Sequence, residues 1–272
     1  MVKVKGKRHR YYPLLTKLKL KIMIITQIQQ DIAWADPAEN RRRSEEQILA
    51  APQSDLYVLP EMWSTGFATE PEGIAEEGDE CASLVWMKQM AARTDAAIAG
   101  SIAIHASDGT YRNRFYFVKP DGSVTHYDKR HLFTYGNEHH RYTAGSERVI
   151  VEWRGVRFLL QICYDLRFPV FARNHGDYDA AIYVASWPTS RIQPWRALLR
   201  ARAIENQCYV IAVDRTGSDP ACDYCGGTEL IDAYGTLVSA CPDNTICTIT
   251  NELDLDALNA FRKKFPVLND AD

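Results

Sequence analysis

The chain has 272 residues, 46% of them hydrophobic and 25% charged, an ordinary balance for a globular protein of one large or two small domains. Its net charge of −3 is unevenly spread: residues 1–21 hold eight Lys or Arg and no acid, which leaves 24 basic and 35 acidic residues, a charge of −11, for the rest. An acidic body removes the electrostatic reason to expect a nucleic-acid partner, and no apolar run is long enough to span a bilayer, so neither nucleic acid nor membrane is an expected partner.

The basic head, Met1 to Lys21, lacks the continuous apolar core of a secretory signal. Its composition would suit a transit peptide or a membrane-surface segment. We read it instead as a solvated, disordered extension that takes no part in the fold and is dispensable. Ile22 to Ile28 is the first expected strand, and Pro37 opens a charged helix that runs to Ala50. Asp55 to Glu61 is the second: four apolar residues, then Pro60, which stops the ladder, then a carboxylate. Trp63, Gly66 and Phe67 read as a loop over the site. Glu80 to Arg93 is a helix expected to bury Leu84, Val85, Met87 and Met90, and Ala96 to His105 is a third apolar strand.

Tyr111 to Val118 and Val124 to Tyr127 make a hairpin around Pro120-Asp121-Gly122, and Asp128-Lys129-Arg130 follows it. Tyr135 to Gly145 is a polar loop. Val149 to Val151 and Val156 to Ile162 make a second hairpin, which delivers Cys163. Beyond it come a short helix (Phe168 to Asn174), a strand (Ala180 to Ala185) and a helix (Pro194 to Asn206). Strands at Cys208 to Val213, Thr228 to Val238 and Ile246 to Ile249 precede a last helix, Asp254 to about Lys264. Strands alternating with helices, without repeats or an internal linker, predict one α/β layered sandwich.

Seven scattered cysteines, an odd number, do not make a disulfide framework, and a reducing cytoplasm is the expected setting. Cys222-Asp223-Tyr224-Cys225 has the spacing of a zinc knuckle or a redox pair. However, a second CxxC or paired His motif is missing, and Pro220 and Gly226-Gly227 mark a loop rather than a helix entry. The pair is therefore read as a chance one, and no metal is expected.

Three groups stand just beyond strand-like runs: Glu61, Lys129 and Cys163, 68 and 34 positions apart. Singly each has an innocent reading, as a surface acid, a surface base and a small buried hydrophobe. Together they meet a chemical need. A thiol attacking an amide carbonyl must lose a proton, which a carboxylate can accept. The oxyanion that forms wants a compact positive charge, which lysine supplies, and the backbone N–H of Tyr164 can add a second donor. The ammonium is also expected to lower the thiol pKa. Loss of either Glu61 or Lys129 should remove most of kcat while leaving the fold intact. A non-catalytic or redox module built on Cys222 and Cys225 would not require this set.

Leu59-Pro60-Glu61-Met62-Trp63, Tyr127-Asp128-Lys129-Arg130-His131-Leu132-Phe133 and Ile162-Cys163-Tyr164-Asp165-Leu166-Arg167-Phe168-Pro169 resemble, in order, three segments of the nitrilase superfamily of carbon–nitrogen hydrolases. The resemblance implies an αββα sandwich over 22–255, followed by a C-terminal helix and tail at 256–272, and a Glu-Lys-Cys triad that needs no cofactor. It also implies a homo-oligomer, a dimer as in the family, and a second glutamate in the loop between lysine and cysteine, for which Glu138 is the candidate. Some members place that acid where this chain has His140. Within the superfamily, Glu61 to Phe67, Lys129 to Phe133, Ala185-Ser186-Trp187-Pro188 and Arg200 to Asn206 are most similar to the ω-amidases, which hydrolyse 2-oxoglutaramate or 2-oxosuccinamate to the keto dicarboxylic acid and ammonia. Such a substrate carries a carboxylate remote from its scissile bond, so its pocket should hold an unpaired cation. Arg191 is the candidate, with Phe133 and Trp187 as apolar walls, and Arg167 is expected to be tied to Asp165 as a structural pair. Hydrolysis of another small amide, an N-carbamoyl amine or a nitrile uses the same triad and stays open at this stage.

Overall fold

The computed structural model describes residues 22–78 and 80–270; the basic head read from the sequence lies outside them. In chain order the first half comprises β1 (Ile22–Gln29), α1 (Pro37–Ala50), β2 (Leu56–Val58), β3 (Glu76–Glu77), α2 (Ala82–Thr94), β4 (Ala97–His105), β5 (Tyr111–Val118) and β6 (Val124–Asp128). The second half comprises β7 (Ile150–Trp153), β8 (Val156–Ile162), α3 (Pro169–Ala172), β9 (Ala180–Ala185), α4 (Ile192–Asn206), β10 (Tyr209–Asp214), β11 (Thr216–Ser218), β12 (Asp223–Cys225), β13 (Glu229–Ile231), β14 (Leu237–Ala240), β15 (Cys247–Asp254) and α5 (Leu255–Lys264).

Two sheets result, ordered β15-β1-β2-β4-β5-β6 (with β3 also paired to β4) and β14-β13-β10-β9-β8-β7. The central strands of each are parallel, β1/β2/β4 in one and β8/β9/β10 in the other. Parallel strands are covered on both faces, which is why β9 is an unbroken apolar run, buried at every position. Between the sheets, Ile25, Val58, Ala99 and Phe117 pack on Leu160, Ile162, Ile182 and Val184. On the outside of the first sheet, Leu84, Met87 and Met90 of α2 meet Ile98 and Ile102. Trp195, Leu199 and Ala203 of α4 cover the second. The result is the expected αββα sandwich. Gln27 crosses between the layers, its amide donating to the carbonyls of Ala212 and Glu229, so this polar side chain inside an apolar sandwich has its donors satisfied.

Three sequence expectations fail here for reasons of packing. Val85 is exposed, and Trp86 takes its place against the sheet, its ring centroid 4.9 Å from that of Trp63 and tilted by 43°. Trp63 is accordingly a core residue and not part of a loop over the site. The stretch holding Cys222 and Cys225 is not a plain loop either. It includes the two-stranded ribbon β11–β12, and Asp219 at its tip accepts from the N–H groups of Ala221 and Cys222 and from the Tyr224 hydroxyl.

Candidate active site

The two sheets bring several strand ends to one place. Glu61 follows β2, Lys129 follows β6, Cys163 follows β8, Ser186 and Trp187 follow β9, and Asp214 ends β10. Because β5 runs opposite to β4 and β6, its early residue Asn113 returns to the same end, its carbonyl accepting from Lys129 N. Ligand sites in open α/β sheets lie at such strand ends because the backbone groups there are free to face a crevice.

Lys129 is fully buried, and its ammonium donates to Glu61 Oε1 at 2.7 Å and to Glu138 Oε2 and Oε1 at 2.9 and 3.2 Å. The 3-10 turn Glu138–His140 carries Glu138 inward, where Phe133 N also donates to it, while His139 and His140 stay exposed. Glu138, not His140, is therefore the acid beside the lysine. Its strand end is held by a close approach: Gly145 N donates to Lys129 O, and a Cβ on Gly145 would stand 2.3 Å from the carbonyl oxygen of Asp128. No other residue fits that contact.

Two carboxylates around one ammonium set the local electrostatics. For Lys129, burial opposes the charge, but Glu138 and Glu61 outweigh it and hold the ammonium above its ordinary pKa. Glu138 is pushed up, first by burial and then by Glu61, with Lys129 opposing. Cys163 begins a 3-10 turn (Cys163–Arg167) with a left-handed backbone, φ 45°, which a side chain rarely adopts. Its thiol sits beside the Glu61 carboxylate and the Lys129 ammonium. Burial chiefly, and Glu61 next, push its pKa well up, and Lys129 only partly offsets them. Lys129 does lower the thiol pKa, as expected, but desolvation and a nearby carboxylate exceed the pull of one lysine that is already paired, so the net direction is upward, toward the neutral thiol.

Asp165 does not pair with Arg167. Its Oδ2 accepts from Tyr127 Oη and Ile162 N, and its Oδ1 from His131 N and Nδ1, so both oxygens are occupied in fastening the cysteine turn to the lysine segment. Arg167 instead lies over the Trp187 ring, 5.0 Å from its centroid, and Arg191 lies over Phe133 at 5.2 Å and Tyr135 at 5.7 Å. Among the described residues neither guanidinium has a carboxylate in salt-bridge range. Both line one cavity of about 180 Å³ together with Cys163, Tyr164, Phe133, Trp187 and Phe67. Cys222 also lines its mouth, while its sequence neighbour Cys225 is buried. No cluster of three or more His, Cys, Asp or Glu suited to a metal occurs among the described residues.

Sequence reasoning passed over Asn113, Ser186 and Asp214. Asn113 Nδ2 donates to Glu61 Oε1 at 2.8 Å and Glu138 Oε1 at 3.1 Å. Ser186 N donates to Glu61 Oε2, and Asp214 Oδ1 accepts from Trp187 N. One signal was available: Asn113 alternates with Arg112 and Arg114 in β5, so it is a polar residue at an inward position of a strand.

Residues 25–263 match the carbon-nitrogen hydrolase family. The chain belongs to that family. This hydrolase is 45% identical over 249 residues to the omega-amidase YafV of Yersinia enterocolitica, spanning 91% of this chain and 96% of the relative. It is 36% identical over 252 residues to the 2-oxoglutaramate amidase of Bacillus subtilis (strain 168), spanning 90% and 96%. A CN-hydrolase superfamily protein of Xanthomonas campestris, whose crystal structure holds an arsenic adduct in the active site, superposes with a TM-score of 0.88 at 41% identity, over 92% of this chain and 97% of that one. The family and these relatives make the chain an amidase-type hydrolase of carbon–nitrogen bonds other than peptide bonds. No helix among the described residues is long and apolar enough to cross a membrane.

Proposed function

We propose that this hydrolase is an ω-amidase that releases ammonia from the terminal amide of a short 2-oxo dicarboxylic acid monoamide, 2-oxoglutaramate or 2-oxosuccinamate. The observation that carries the substrate reading is the pair Arg167 and Arg191, two guanidiniums without a carboxylate partner among the described residues that share a small, otherwise largely apolar cavity with the Cys163 thiol. Both guanidiniums are half-buried, and a partly desolvated cation without a partner is favoured when a ligand supplies the opposite charge. The relatives named for ω-amide hydrolysis support the same reading.

In this mechanism the neutral Cys163 thiol passes its proton to Glu61 as sulfur attacks the amide carbonyl. Lys129 and the Tyr164 N–H hold the oxyanion, and Glu138 orients Lys129 and the substrate amide. Glu61 then returns the proton to the leaving nitrogen, ammonia departs, and an acyl thioester remains on Cys163. Water attacks the thioester while Glu61 takes its proton, and collapse of the second tetrahedral intermediate returns that proton to sulfur and frees the acid. The thiol, carboxylates and ammonium supply every proton and electron pair, so the mechanism calls on no cofactor. Seven unpaired cysteines support a reducing, cytoplasmic setting.

A panel of amides with ammonia detection tests the reading. A charge-assisted hydrogen bond is worth roughly 1.5–3 kcal/mol, or about tenfold to over a hundredfold in affinity. Arg191→Ala and Arg167→Ala should each lower kcat/KM for the keto-acid amides by that order and leave a neutral amide of similar length nearly unchanged. Arg191→Lys should recover only part, since an ammonium lacks the planar two-donor fork. Equal losses on charged and neutral amides would make the arginines structural. A wild type that prefers neutral amides, N-carbamoyl amines or nitriles would leave only the family standing.

The enzyme is further proposed to work as a dimer. Ile204, Tyr234, Phe261 and Phe265 gather around one shallow surface depression, and Ile204, Tyr234 and Phe265 are each at least half exposed. Sedimentation equilibrium should return the mass of two chains, and Ile204→Glu should shift it toward one; a wild-type monomer would refute this.

A further inference from the structure

We propose that Asn113 is a positioning residue that assigns Glu61 Oε2 as the oxygen that accepts the thiol proton. The proposal rests on the reading of Glu61 as the base. A carboxylate oxygen offers about two acceptor directions. On Glu61 Oε1 both are taken, by Lys129 Nζ at 2.7 Å and Asn113 Nδ2 at 2.8 Å. Among the described residues Glu61 Oε2 receives only Ser186 N, at 2.8 Å, and so retains a free direction. The second hydrogen of Asn113 Nδ2 goes to Glu138 Oε1, 3.1 Å away. One amide therefore bridges the two buried carboxylates that flank a single ammonium.

The amide orientation follows from chemistry. With Oδ1 turned toward them, the carboxylates would face another acceptor in place of a donor. As it stands, Oδ1 has no hydrogen-bond partner among the described residues. An apolar residue at this inward position, like the neighbouring Phe115 and Phe117, would avoid that orphaned acceptor. What the asparagine adds is its fork of donors. The charged and titratable groups facing Glu61 are Lys129, Glu138, Cys163, Asp214 and Tyr142, and of these only Lys129 is a cation. Without Asn113, Oε1 also has a free acceptor direction, and the carboxylate loses one of the contacts that fix its orientation.

The test compares Asn113→Leu, close in shape but without donors, with Asn113→Gln, which keeps the amide on a longer stem. In Asn113→Leu, kcat should fall by up to about 100-fold, as for a reacting group misplaced by about 1 Å. KM should change little. Asn113→Gln should recover part of the loss. A merely structural role would lower the melting temperature and leave kcat per folded molecule unchanged. Wild-type kcat in Asn113→Leu would overturn the proposal, as would a loss fully matched by the unfolded fraction. If the leucine variant does not fold, Asn113→Ser, which keeps one donor, carries the same comparison. Glu61→Gln serves as the control. If it retains turnover, the base itself is misassigned. If it is inactive while Asn113→Leu behaves as wild type, only the positioning role fails.

Discussion

Cys163→Ala should abolish ammonia release while leaving the protein folded. The loss should be on the order of 10⁶-fold, as when other hydrolases lose their covalent nucleophile, because Glu61, Lys129 and Glu138 have no second thiol within their cluster. Cys222 also lines the cavity, but the charged groups beside it are Asp219 and Arg191. Stability should hold for two reasons. Alanine tolerates the left-handed backbone at φ 45° no worse than cysteine does. The substitution also removes a buried thiol that faces a carboxylate. Intact-mass spectrometry after an acylating substrate is quenched should place the adduct on Cys163 in the wild type and show none in the variant. An adduct on another cysteine, or normal turnover in Cys163→Ala, would return the nucleophile to the candidates.

Lys129→Met is expected to cost both activity and stability, and here the structure revises the reading from sequence. An exposed lysine could be replaced with little effect on folding. Lys129 is instead enclosed between Glu61 and Glu138, with no exposure at its side chain or theirs. Removing one member of a buried ion cluster typically costs about 3–5 kcal/mol, since the remaining charges are left unpaired. Loss of an oxyanion donor adds a fall of about 10²–10³ in kcat. The stability loss should depend on pH. Glu138 already has a raised pKa in the folded protein, and without the ammonium it rises further above its unfolded value. A group with a raised folded pKa contributes its stability at low pH and loses it as pH rises through that folded value. Lys129→Met should therefore melt closer to wild type near pH 5 and diverge from it toward pH 8. A parallel pair of melting curves across that range would show that the two glutamates do not depend on this lysine.

The sequence by itself determined most of the architecture and the identities at the centre of the site. Short continuous apolar runs such as Ala180 to Ala185, too short for a helix that crosses the core, read as strands covered on both faces. Proline at Pro37 and Pro60, and glycine at turns, mark where elements begin and stop. A residue standing directly after such a run is carried to a strand end whatever the rest of the chain does, which is why Glu61, Lys129 and Cys163 were legible as a set. Contacts between segments far apart in the chain were not, because neither period nor spacing says which partner a side chain finds. The pairing of Asp165 and Arg167 looked local and is not: Asp165 is spent on Tyr127, Ile162 and His131, from two different strand ends, and Arg167 is thereby released to the cavity. Asn113 is bound to Glu61, 52 positions away, and to Glu138, 25 away, through a strand reversal that only the sheet order supplies. The protonation of Cys163 was likewise decided in three dimensions. Its chemical neighbours, one lysine and one glutamate, were foreseen, but burial is a property of the packed sandwich, and burial outweighs the lysine.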